Sequence, residues 1–122
     1  MNDISPADVA ALAQVKLPDD STLAADILAE VDSRLALLIS HNHVTRAELK
    51  DEETRDGVVD MLEIEVDFED LDLVWYLFRH NHENAQYKPT EFFSPDDHAN
   101  AVANWVARQL VFTSVDLLAE GI

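Results

Sequence analysis

Asp60-Met61-Leu62-Glu63-Ile64-Glu65-Val66-Asp67-Phe68-Glu69 supports two periods, and the choice between them decides the fold. Taken as a strand, Leu62, Ile64, Val66 and Phe68 alternate with Glu63, Glu65, Asp67 and Glu69, so one set faces a core and the other faces water. Taken as a helix, the stretch opens a longer series. Met61, Ile64, Phe68, Leu71, Trp75, Phe78 and His82 recur at alternating intervals of three and four. A strand needs a partner, and only Leu110-Val111-Phe112-Thr113-Ser114-Val115 offers a second β-looking run. The longer pattern predicts a helix over 61–82, with a break near Asp67, in an all-α domain. An α+β fold with a short strand near 61–68 is the alternative.

The flanking sequence supplies helix starts and stops. Ser5-Pro6-Ala7-Asp8 combines an N-cap, a proline at the first helical position and an acid at the positive end of the dipole. Val9, Leu12 and Ala13 give that helix an apolar face, and Leu17-Pro18 is its expected stop. Asp20-Ser21 opens a second helix, with Ile27, Val31, Leu35 and Leu38 on one face, running to Ser40-His41-Asn42-His43. Thr45-Arg46-Ala47-Glu48 has the form of a capping box and predicts a third helix from Arg46, interrupted at Gly57. The segment 84–93, with Pro89, reads as a loop carrying Tyr87, Phe92 and Phe93. Ser94-Pro95-Asp96-Asp97 then repeats the first helix start. In the last helix Val102, Trp105, Val106, Leu110 and Leu117 face inward, and Gly121 follows its end. The expectation is a single domain over 1–122: a bundle of about five helices.

Composition agrees. An apolar fraction of 48% in 122 residues can bury roughly two-thirds of the unfolded surface. Two glycines and four prolines are too few for a turn-rich β chain. The absence of cysteine excludes disulfides and thiol chemistry. Met1-Asn2-Asp3-Ile4-Ser5-Pro6 has no apolar signal core, and no run approaches a membrane span, so a cytoplasmic location is expected.

Charge is the feature that composition leaves unexplained. The net charge is −17, and 48–72 carries −10 of it through twelve carboxylates opposed by Lys50 and Arg55. Such a chain repels nucleic acid and anionic membrane and attracts basic proteins. Acidity as a solubility device of a salt-adapted chain would be spread evenly, whereas here it is concentrated.

Specific chemistry is mostly excluded. Gly57 and Gly121 alone cannot build a phosphate-binding glycine loop. His41, His43, His80, His82 and His98 fit no zinc spacing. The His-Asn-His pairs read as helix C-termini, with Asn42 or Asn81 taking the left-handed turn. Glu52-x-Thr54-x-Asp56-Gly57-x-x-Asp60-x-x-Glu63 resembles an EF-hand calcium loop in outline, but Glu52 and Thr54 stand where Asp and Asp/Asn belong, and no second copy accompanies it. No catalytic residue, cofactor or metal is assigned.

The carboxylates taken together suggest a binding surface. On a helix, Glu63, Asp67 and Asp70 form one stripe and Glu65, Glu69 and Asp72 another, with neighbours about 5–6 Å apart at Cβ. Phosphates along a nucleic-acid strand lie roughly 6–7 Å apart. The expected function is non-enzymatic: inhibition of a basic, nucleic-acid-binding protein by phosphate mimicry, through these six residues with Asp51, Glu52, Glu53, Asp56 and Asp60 extending the surface. In size and charge the chain is similar to the small acidic phage and plasmid inhibitors of restriction and CRISPR systems, a likeness carried by no motif. The alternatives are an immunity protein or chaperone masking a basic toxin or effector, and a phage assembly adaptor that works through Tyr87, Phe92 and Phe93. A homodimer is compatible with all three, and none calls for direct binding to nucleic acid or membrane.

Overall fold

Both Ser-Pro starts form as written. In a computed structural model that describes residues 4–85 and 94–120, Ser5 Oγ accepts from the Asp8 amide at 3.1 Å and opens α1 (Pro6–Ala13). Ser94 and Asp97 cap one another reciprocally at the start of α5 (Pro95–Glu120). Between them lie α2 (Leu23–Ser40), a 3₁₀ turn (Glu48–Lys50), α3 (Glu52–Leu62) and α4 (Leu71–Asn81), with no strand among the described residues. The domain is all-α, as the longer apolar period implies.

Helix α5 is the axis. It packs against α1, α2, α3 and α4 in turn. Ala99, Ala103 and Ala107, four residues apart, keep one strip narrow, while Val102, Val106, Leu110, Val111, Val115 and Leu118 fill the spaces around it. Burial of a side chain such as Leu110, fully enclosed, stabilises the fold by about 1.5–3 kcal/mol. Trp105 and Leu117 lie half-buried against this core. Ser114 is also enclosed, and its hydroxyl donates to the Leu110 carbonyl at 2.7 Å, so it is not stranded. From α2, Ile27, Val31 and Leu35 enter the core as their spacing predicts. No helix among the described residues is long and apolar enough to cross a membrane.

Several boundaries differ from expectation. Helix α1 ends at Ala13, four residues before Leu17, because Gln14 turns left-handed and the Gln14 and Val15 amides close back on Ala11 and Ala10. Leu12 then lies outside, 61% exposed. The capping box is made, with Thr45 and Glu48 bonded both ways, yet it opens only the 3₁₀ turn. Asp51 takes over as the cap of α3, accepting from the Thr54 amide and hydroxyl. Gly57 does not interrupt α3. Since 52–62 is helical, the calcium-loop outline has no loop geometry behind it. At the end of α2, Asn42 does adopt the left-handed turn, with φ 61°, and the His43 amide bonds back to Leu38. Asn81 does not; it is a buried residue of α4. The loop expected over 84–93 and the helix stop at Gly121 fall largely outside the described residues.

The decisive stretch is neither of the two expected forms. The 61–82 helix is interrupted, since α3 stops at Leu62, Glu63 turns left-handed at φ 51°, and 64–70 carries no regular structure before α4. The cause is partly local. A helix would stack Glu63 on Asp67 and Glu65 on Glu69, like charges four residues apart, while Ile64 and Val66 favour extended backbone. It is also tertiary: the Arg34 guanidinium, reaching over from α2, donates to the carbonyls of Leu62 at 2.6 Å and Glu63 at 3.1 Å and so satisfies the end of α3. Along 63–69 burial alternates. Ile64, Val66 and Phe68 pack half-buried on the core and the acids between them stay exposed. That is the period of an extended chain, so the segment is strand-like but has no strand to pair with among the described residues.

Candidate partner-binding surface

All eleven candidate carboxylates are exposed, and they fall into three groups. Asp51, Glu52, Glu53, Asp56 and Asp60 belong to the cap and outer face of α3. Glu63, Glu65, Asp67 and Glu69 form the outward row of the strand-like segment. Asp70 and Asp72 mark the start of α4, where Asp70 Oδ1 accepts from the amides of Asp72 at 3.0 Å and Leu73 at 3.4 Å. The helical stripes Glu63–Asp67–Asp70 and Glu65–Glu69–Asp72 therefore do not exist, because their residues do not share a helix. The row replaces them. Alternate residues of an extended chain stand about 6.6–6.8 Å apart.

Three cations near this surface bond to backbone carbonyls. Arg55 Nε donates to the Leu49 carbonyl at 2.7 Å, and Lys50 Nζ reaches the Ala119 carbonyl at 3.4 Å. Arg34 is held by two carbonyls and by Glu30. One exposed ion pair crosses the surface, Arg108 to Asp60 at 3.2 Å, with the Arg108 guanidinium also 5.0 Å from the centre of the Phe112 ring. Burial pushes the Asp116 carboxyl above the usual carboxylate range, against the opposing pull of Arg55 at 3.6 Å.

A groove of about 730 Å³ runs beside the row. One wall is formed by 66–70 and the other by 18–23, with α4 contributing Leu73, Tyr76 and Arg79. Six carboxylates line it: Asp20, Asp26, Asp67, Glu69, Asp70 and Asp72; Arg79 is the only base among its lining residues. Asp20 and Asp26 were not among the sequence candidates. They lie far from the row in sequence, Asp20 more than forty residues before it, and no local pattern connects them to it. A smaller groove on the other side of the segment meets Asn104, Ala107 and Arg108 of α5.

Four of the five histidines take ring contacts. His41 stacks on His43, His82 stacks on Phe78, and His80 tilts against Tyr76. Among the described residues no group of three or more His, Asp or Glu side chains is placed to hold a metal ion. Comparison with protein families, with curated proteins and with solved structures finds no match.

Proposed function

We propose that this protein is a non-enzymatic inhibitor that occupies a basic, nucleic-acid-binding protein by presenting carboxylates in place of phosphates, in the manner of acidic anti-restriction and anti-CRISPR inhibitors. One observation carries the proposal: the exposed row Glu63, Glu65, Asp67 and Glu69 alternates with seated apolar residues. In an extended chain alternate residues stand about 6.6–6.8 Å apart, close to the roughly 6–7 Å between successive phosphates. The helical stripes anticipated from sequence fitted that spacing less well. Among the described residues none of the four row carboxylates is held in an ion pair, which favours fast, salt-sensitive association with a cationic cleft.

The test is competition. The partner is captured from lysate, and duplex DNA is titrated against the complex. Mutually exclusive binding is expected. The triple variant Glu65→Gln, Asp67→Asn, Glu69→Gln should weaken partner binding at least tenfold at low salt. An equal charge change at Asp8, Asp32 and Glu83 should do much less. A partner that holds DNA and this protein together with unchanged affinities overturns mimicry. A captured toxin or effector with no nucleic-acid function selects the masking role instead.

A further inference from the structure

The backbone of 64–69 makes no hydrogen bond among the described residues. Its inner side chains, Ile64, Val66 and Phe68, already rest on the core, so its free N–H and C=O groups are open only at its edges. An unpaired, strand-like edge is a template for another strand. Charge chooses both the edge and the occupant. The edge toward 18–23 opens on the six-carboxylate groove, whereas the opposite edge faces Arg108. A second copy of the chain is a poor occupant, because paired rows would set carboxylates directly across from carboxylates.

We infer that the groove between 66–70 and 18–23 receives an extended segment of a basic protein, added as a strand along 64–69, with Lys or Arg at every second position. This rests on the basic partner proposed above and adds the way it docks. Neighbouring strands lie about 4.7–4.9 Å apart, which sets alternate cations of the incoming segment beside Glu65, Asp67 and Glu69. Its intervening residues point into the groove toward Leu23, Leu73 and Tyr76 and are therefore apolar. A groove of about 730 Å³ lies within the range that takes ligands.

The probe is an acetylated, amidated peptide, Lys-Val-Lys-Val-Lys-Val-Lys, offered to the whole protein at low salt. Comparison peptides carry the same residues with the lysines gathered at one end, or N-methyl groups on alternate residues in either register. The alternating peptide should bind at least tenfold tighter than the gathered one. One N-methyl register should lose that advantage and the other keep it, since only every second amide of an edge strand faces its neighbour. Amide exchange within 64–69 should slow at least tenfold at alternate residues. Equal affinity for every peptide, with no amide slowed, overturns strand addition and leaves the acidic docking surface standing. Protection confined to residues outside 64–69 overturns it too. No binding by any of the peptides overturns both.

Discussion

The side-chain amide of Asn81 holds the backbone of Lys16 at both ends. Its oxygen accepts from the Lys16 amide at 2.8 Å, and its nitrogen donates to the Lys16 carbonyl at 2.9 Å. A third bond, to the Leu77 carbonyl, fixes the side chain itself. The link ties the connection after α1 to the last turn of α4, across 65 residues of sequence. Asn81→Leu keeps the branched outline, with bulkier ends, but strips Lys16 of both partners. It is expected to cost about 2–3 kcal/mol, or roughly 8–12 °C in melting temperature. Calorimetry checks this, and a shift under 3 °C would show that water replaces the clamp.

Arg34 closes α3 from a neighbouring helix, and its contacts on Leu62 and Glu63 set where the strand-like segment begins. Arg34→Met retains the aliphatic stem and should lose about 1–2 kcal/mol. Its exposed pair with Glu30 contributes little of that. Arg46→Met makes the same charge change at an exposed site and is the control. Amide exchange in the last turn of α3, 59–62, should quicken in the first variant and not in the second.

Gly57 lies in the middle of α3 with nothing within 4 Å of where a Cβ would stand, and its φ is not positive. Gly57→Ala should therefore stabilise the protein, by about 0.5–1 kcal/mol, seen as a later midpoint in urea. An unchanged or earlier midpoint would place a steric demand there.

Asp116 provides a pH test. A carboxyl whose folded pKa is raised binds its proton more readily in the native state. Its ionised form therefore opposes folding above that pKa, and the opposition disappears as pH falls through the raised value toward roughly 4. Asp116→Asn should accordingly be slightly more stable than the parent at neutral pH, with the gap closing on acidification. The effect is small because the side chain is about half exposed. A gap that widens toward low pH would instead make the Arg55 pair the dominant influence.

What could be read from the sequence was what neighbours in sequence decide. Ser5, Ser94 and the Thr45–Glu48 pair cap locally, and Ile27, Val31 and Leu35 keep one face; all of these form. The apolar alternation at Ile64, Val66 and Phe68 correctly told which side chains face inward, although the helix assigned to them does not exist. The seam over 61–82 failed because its two ends belong to different helices, and Met61 and Leu71, both assigned to the inward face, lie exposed. What separates the two helices includes a guanidinium from α2, which no window around Glu63 contains. The candidate carboxylates were correctly expected at the surface, but Asp20 and Asp26 join the groove only through tertiary packing.

Helix α5, the element every other helix leans on, is made after all four of them. During synthesis, at about 5–20 residues per second, α1 to α4 leave the ribosome before the scaffold that joins them exists. For several seconds Val9, Val31, Leu62 and Leu77 have no common core to enter. Over that interval the dense acid of 48–72 keeps the unfinished chain apart from its neighbours, since chains of high like charge resist association. The same carboxylates that face outward in the folded protein thus act first on the nascent chain, before its helices share a core.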